Sequence, residues 1–278
     1  MSGVDINDDL SARDEPAGFP DDTQGDPNDR DYVNSLARGL EVIKVFTRRT
    51  PKMTLSEVSR ATGMTRATVR RFLLTLVREG YVETDGKYFH LRPKILELGF
   101  SALSSMDIWD VAQPIMNDLS KRLQESCFAA VLDQDSVIYV ARATSNQRVS
   151  VGINIGSRVP AHCVSTGRVL LAALPQDLLH KYLEAMTLTR FTPNTITSKV
   201  QLRGVIDEVR LQGWSIVDQE LEVGLRSLSV PIRDGQGKIV AALNVCCPSM
   251  RITPEDLRTR VLAETLAASN AVTRALQI

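Results

Sequence analysis

The chain has 278 residues, 33 Lys/Arg against 33 Asp/Glu, and 43% hydrophobic residues, enough for about two domains with buried cores. No run approaches the ~18 apolar residues of a membrane span, and the acidic N-terminus lacks the apolar stretch of a secretory signal, so a cytoplasmic protein is expected. Four cysteines without framework spacing fit a reducing compartment, and His90, His162 and His180 are too scattered for a zinc motif, so neither a structural metal nor a cofactor is expected.

The zero net charge hides three blocks. Residues 1–31 hold ten acids and two arginines, a net −8. Rich in Asp, Gly, Pro and Asn, this segment cannot bury enough apolar surface to fold, and a disordered acidic tail is expected. Its plainest role is to solubilise; its charge also fits a mimic of DNA lying on a basic module. Residues 32–94 hold thirteen Lys/Arg and five acids, a net +8, while residues 95–278 hold eighteen of each. A basic block of that size suits a phosphate backbone, whose neutralisation releases counterions.

A helix is expected over Tyr32–Thr47, with Leu36, Leu40, Ile43 and Phe46 on its core side. The segment Thr54 to Glu83 then reads as two short helices, a tight turn between them, and a strand. Thr54 and Glu57 form a capping-box pattern, Gly63 supplies the turn, and Thr65 can cap the second helix. Val69, Phe72, Leu73, Leu76 and Val77 fall on one face of that helix, and Arg66, Thr68, Arg70 and Arg71 on the other. One greasy face, one Arg/Thr face and a short preceding turn are what a helix-turn-helix needs to enter a major groove. Gly80 stops the helix. Tyr81–Glu83 and Tyr88–Leu91 alternate like strands around an Asp85-Gly86 turn, which makes a wing whose Lys87 and Arg92 are candidates for phosphate contact. The alternative is a helical subdomain with a solvated basic face; the wing argues for double-stranded DNA.

Pro93 opens a linker helix, expected over residues 93–107, and residues 108–278 read as a sensor domain. Helices are expected over Ile108–Gln124, Ser165–Ala173, Gln176–Ala185, Val200–Gln212 and Pro254–Leu276. Strands are expected at Cys127–Leu132, Val137–Arg142, Val149–Ile153, Trp214–Val217, Leu228–Ile232 and Ile239–Cys246. The pattern is α+β with a mostly antiparallel sheet.

Two segments look built for a small ligand. In Gly156–Ala172, small polar residues run into an apolar helix, placing Ser165 and Thr166 at a helix N-terminus that favours a carboxylate. In Ala241–Cys247, Asn244 and Cys246 share one face of a strand, and a buried Asn needs a partner, either a ligand or a neighbouring loop. Arg142, Arg148 and Arg226 can each clamp a carboxylate bidentately, or serve as surface ion pairs. An enzyme is the rival class, since Cys163 beside His162 invites a nucleophile–base reading. Adjacent residues rarely aim at one atom, no acid is placed to orient the His, and Cys163 stands where the first Gly of a nucleophile elbow belongs. A third class is a constitutive architectural DNA binder with a structural C-terminal domain.

The segments LARGLEVIKVF, LSEVSRATGMTRATVRRFLLTL, GYVE, GSRVPAHCVSTGRVLLA, VDQELEVGLRSLSVPI and AALNVCC together resemble the IclR family of bacterial transcription regulators, over about Ser35 to Ile278. PAHCVSTGRVLLA, DQELEVGLRS and AALNV are most like the branch that controls protocatechuate, 4-hydroxybenzoate and β-ketoadipate pathway genes. The resemblance implies an N-terminal winged helix, a C-terminal GAF-like effector-binding domain, and dimers or tetramers. It also implies a pocket lined by Ser165, Thr166, Asp218, Ser227, Asn244 and Cys246, with His162 replacing the aromatic residue expected between Ala161 and Cys163. The effector would be a small aromatic or dicarboxylic acid, with a different carboxylic-acid pathway as the alternative. An operator DNA is the implied partner, and RNA polymerase is a further candidate.

Overall fold

The computed structural model describes residues 32–47, 49–98, 108–144 and 152–276. These fall into two compact units divided between residues 99 and 100. The acidic segment 1–31, most of the expected linker helix 93–107, and Arg148 lie outside the described residues.

In the first unit, α1 (Asn34–Lys44), α2 (Leu55–Thr62) and α3 (Arg66–Arg78) pack on a three-stranded antiparallel sheet of β1 (Lys52–Thr54), β2 (Val82–Thr84) and β3 (Tyr88–Leu91), in the order β1-β3-β2. Val42, Met53, Val58, Val69, Leu73, Val82 and Phe89 form its core. Three expectations need correction. The core contact of α1 is Val42, whereas Leu36 and Leu40 are exposed; Gly39 lies against the Phe72 ring and so sets which face turns inward. The wing turn centres on Gly86-Lys87, not Asp85-Gly86, because the Asp85 carboxylate accepts the Lys87 and Tyr88 N–H groups at 2.9 and 2.7 Å, which holds Asp85 opposite Tyr88. Strand β1, too short to show alternation, adds a third strand to the wing. Past β3, Pro93–Ile95 forms a 3-10 turn and residues 96–98 are helical.

The second unit is a six-stranded, wholly antiparallel sheet in the order β6-β5-β4-β9-β8-β7. Its strands are β4 (Ser126–Asp133), β5 (Ser136–Ala143), β6 (Arg158–Pro160), β7 (Ser215–Asp218), β8 (Leu225–Arg233) and β9 (Ile239–Pro248). Of the strand expected at Val149–Ile153, residues 149–151 lie outside the described residues and Gly152–Ile153 are not in a strand; the edge is β6 instead. Both faces of the sheet are covered. On one, Leu228, Val230, Ile232, Leu243, Val245 and Cys247 pack against α4 (Ile108–Leu123) and the C-terminal helix α8. Helix α8 enters as Pro254–Asp256, passes through a π turn at Leu257–Val261 and continues as Leu262–Ala275. On the other face, Phe128, Tyr139, Ala242 and Cys246 pack against α5 (Ser165–Ala172), α6 (Gln176–Ala185) and α7 (Lys199–Gln212).

Every residue of α5 is buried. Its close seating depends on Gly167, where an added Cβ would meet the Ala161 carbonyl carbon at 2.6 Å and its oxygen and Cα closer still. Side chains alternate across a strand, so one residue of slip would exchange the two faces. A register shift where β5 passes Ala129/Ala130 of β4 changes that alternation, and both Tyr139 and Arg142 of β5 thereby reach the α5 side.

Candidate DNA interface and effector site

The DNA-facing candidates gather on α2, α3 and the wing. Thr54 closes a capping box on α2: its N–H donates to Glu57 Oε2 at 2.7 Å, and its hydroxyl receives the Glu57 N–H. Those hydrogen bonds lower the Glu57 pKa. Thr65 caps α3, and its hydroxyl lies 2.9 Å from that of Thr68. Thr68 is half-buried, so it supports the N-terminus of α3 rather than standing on its open face. Arg66, Arg70 and Arg71 are exposed, and among the described residues none of the three forms an ion pair. Arg78, which spacing places one helical repeat beyond Arg71, continues the exposed basic edge. In the wing, the Lys87 amine stands 5.1 Å from the Tyr88 ring centroid, and Arg92 faces Glu83 at 3.9 Å.

In the second unit, paired strands lay one row of side chains across the α5 face: Arg142 of β5, Phe128 of β4, Asn244 of β9, Ser229 of β8 and Ser215 of β7. The next row carries Cys246 and Ser227. Into these rows projects Ser165, the first residue of α5. Its hydroxyl donates to Ser227 at 2.9 Å, meets Ser229 at 2.8 Å and accepts the Asn244 amide at 3.1 Å. The Cys246 thiol donates to Asn244 Oδ1 at 2.9 Å; burial raises its pKa and keeps it protonated. Sequence reasoning left open whether Asn244 meets a ligand or a loop; its protein partner is Ser165, another candidate for the same pocket.

Some polar groups here are not satisfied. Helix α5 has Val164 at its N-cap and no side-chain cap. The Thr166 hydroxyl, fully buried beside the Tyr139 phenol, makes no hydrogen bond of normal geometry. Ser215 Oγ and Arg142 Nε are also buried without a partner. Arg142 stacks 5.8 Å from the Phe128 ring centroid and donates to Asn154 Oδ1 at 2.7 Å.

Asp218 is not brought to this cluster. It lies opposite Arg226, and strand alternation turns it away from Val217 and Ser227, so its carboxylate accepts Arg226 Nε at 2.7 Å instead. Arg226 is further engaged by the Ser249 and Ile252 carbonyls. His162 and Cys163 are buried in the 3-10 turn that feeds α5. His162 Nε2 pairs with the Thr189 carbonyl at 3.0 Å, and burial, with the nearby Arg168 charge, lowers its pKa. Burial pushes the Cys163 thiol up to about 12, which leaves it a poor nucleophile.

The model of the IclR C-terminal domain of bacterial transcriptional regulators matches residues 100–274, and the IclR helix-turn-helix domain matches residues 35–86. This chain belongs to the IclR family. It is 44% identical over 246 residues to the Pca regulon regulatory protein of Pseudomonas putida, covering 88% of this chain and 84% of that one. It is 36% identical over 237 residues to the p-hydroxybenzoate hydroxylase transcriptional activator of Acinetobacter baylyi, covering 84% and 88%. Among solved structures, a Rhodococcus sp. RHA1 chain shares 46% identity at a TM-score of 0.79, covering 88% of this chain and 98% of that one. As an IclR-family regulator the chain pairs a winged helix-turn-helix domain with a C-terminal effector domain, and its relatives include aromatic-acid pathway regulators.

Within this IclR-family chain, motif reasoning missed Phe128, Tyr139 and Ser229. All three are visible only once strands are paired across the sheet. It also missed the buried Arg168–Glu220 ion pair at 2.7 Å. Glu220 additionally receives the Ile196 N–H at 3.1 Å, and Arg168 Nε donates to the His162 carbonyl, so this pair ties the turn before α5 to two connecting loops. Among the described residues no group of His, Cys, Asp and Glu is arranged to hold a metal, and no helix is long and apolar enough to cross a membrane.

Proposed function

We infer that this cytoplasmic protein binds a small aromatic or dicarboxylic acid on the α5 face of its effector domain and thereby changes how paired winged helices engage an operator. One observation carries the reading. An uncapped helix N-terminus and a buried Thr166 hydroxyl, facing only the Tyr139 phenol, stand beside the Ser165–Asn244–Ser227–Ser229 cluster, within an otherwise apolar wall. Free N–H groups and the helix dipole favour a carboxylate. Phe128 and Tyr139, edge to face at 5.6 Å, offer ring contacts, and the Arg142 guanidinium in the same row adds an anion-attracting group. Cys246 extends the polar row. Cys163 and His162 lie buried in the turn that feeds α5, and Arg148 completes the set by sequence alone.

On the DNA side, Arg66, Arg70 and Arg71 would read or clamp the major groove, Thr54, Thr65 and Thr68 would fix the helix ends against phosphates, and Lys87 and Arg92 would hold the wing to the backbone. A homodimer, or a homotetramer of such dimers, is supported by Val33, Leu36 and Leu40, an exposed apolar stripe on α1. We read the effector site as one of binding without turnover, since its thiols are buried and protonated. The ligand must bind one arrangement of the paired domains better than another, because equal affinity shifts nothing.

The test is a thermal-shift series with protocatechuate, 4-hydroxybenzoate, β-ketoadipate and cis,cis-muconate. A native-state binder raises Tm by mass action. A rise with one acid that is abolished in Asn244→Leu supports the site. No rise with any of them refutes the aromatic-acid reading and favours another carboxylic-acid pathway.

A further inference from the structure

The recognition surface of the winged-helix unit is a cationic face that its own acids leave unneutralised. Of the acids in residues 32–94, Glu57 is held in the Thr54 capping box, Asp85 is taken up by the wing turn, and Glu83 faces Arg92 and His90. Glu41 lies on α1, and Glu79 caps the end of α3 farthest from Arg66. Arg66, Arg70 and Arg71 therefore project without an ion pair among the described residues.

The same chain carries a ready anion. Residues 1–31 bear a net −8, equal and opposite to the net +8 of residues 32–94, and they join that unit directly ahead of α1. Extended, thirty-one residues reach up to about 100 Å, so length does not keep them from α3. A tethered segment acts at an effective concentration of order millimolar, enough for weak charge pairing to compete.

We propose that residues 1–31 occupy the Arg66–Arg70–Arg71 face and the wing in the absence of operator, as an intramolecular competitor of the DNA phosphates. Non-specific DNA, held only by charge, must displace the tail. An operator must displace it too, so the competition lowers both affinities by one common factor. The tail thus sets a threshold that charge-only contacts fail to reach while an operator, held by base contacts as well, still does.

The experiment compares the full chain with a full-length variant whose ten tail acids are changed to Asn or Gln, measuring affinity for a random-sequence duplex across a salt series. Counterion release makes charge competition strong at about 50 mM salt and weak above about 300 mM. The neutralised tail is expected to bind the duplex about three- to thirtyfold tighter at the low end, with the two curves converging at the high end. Equal affinity and equal salt slope would overturn the proposal and leave the tail a solubiliser. Carbodiimide coupling, which joins carboxylates to lysine amines, gives a second reading on the unmodified protein. Tail cross-links are expected at Lys52 and Lys87 and to vanish when duplex is added. An even spread that includes Lys121, Lys181 and Lys238 of the other unit would overturn it.

Discussion

The Asn244 side chain donates its amide to Ser165 Oγ at 3.1 Å, joining the middle of the sheet to the first residue of α5. Ser165 also donates to Ser227 and meets Ser229, so one hydroxyl uses its proton and both lone pairs inside the protein. On the proposed function, a ligand entering here would have to rearrange a satisfied network, which would favour groups that can replace those bonds.

Removing either partner separates sensing from DNA binding. Asn244→Leu leaves Ser165 and the Cys246 thiol short of partners, at a cost of about 1–3 kcal/mol. Ser165→Val does the same from the helix side. Both variants are expected to retain operator affinity and to lose the effector-induced Tm rise. A full response in either would move the ligand elsewhere in the domain.

The exposed arginines of α3 carry the opposite dissociation. Arg70→Ala and Arg71→Ala are each expected to weaken operator binding about tenfold while effector binding is unchanged. A residue that contacts phosphate alone lowers the salt slope by about one, whereas one that contacts a base relaxes sequence preference instead. Operator titrations across a salt series distinguish the two roles. Unchanged affinity in both variants would refute the placement of the recognition helix.

Gly167→Ala tests the seating of α5. The added methyl meets Ala161 backbone, which cannot swing aside as a side chain can. Overpacking of this kind costs about 1–3 kcal/mol or more, which for a domain of this size lowers Tm by roughly 2–4 °C per kcal/mol. Effector affinity should fall with it, because the displaced helix carries Ser165 and Thr166. A Tm within a degree of the parent would show that the turn at Ala161 yields freely.

His162 predicts a pH dependence of stability. Burial, reinforced by Arg168, lowers its pKa in the folded protein, while the Thr189 carbonyl and Glu220 oppose that shift. The unfolded chain therefore takes up a proton first as pH falls below about 6.5. The stability that His162 supports is complete above that point and erodes on acidification, by at most about 1.4 kcal/mol per pH unit, until the folded form also protonates. His162→Phe keeps the contact with Phe191 and removes the proton, so its urea midpoint should drop less than the parent's between pH 7.5 and 5.5. Equal drops would assign the acid sensitivity to other groups.

Much of this molecule is legible in its sequence. The capping box at Thr54, the cap at Thr65, the stop at Gly80 and the shared face of Asn244 and Cys246 follow from local chemistry and periodicity. The failures have physical causes. Helix α1 is apolar on more than one side, and periodicity does not say which side meets Phe72, so it points Leu36 and Leu40 inward in place of Val42. A three-residue strand such as β1 has no period to read. The resemblance implies Asp218 in the pocket, whereas its strand position, opposite Arg226, turns it away from the Ser227 row. The Arg142–Phe128–Asn244 row depends on the register of three strands and a bulge, none of which is a local property.

The alternation of β9 gives neighbouring residues separate duties. Positions 242, 244 and 246 look into the α5 side, while 241, 243, 245 and 247 are locked under α4 and α8. For anyone retuning the regulator as a biosensor, the strand is in effect two interleaved registers: with the effector on the α5 side as proposed, a library drawn from its even positions would sample which molecules are detected, and one drawn from its odd positions only whether the domain still folds.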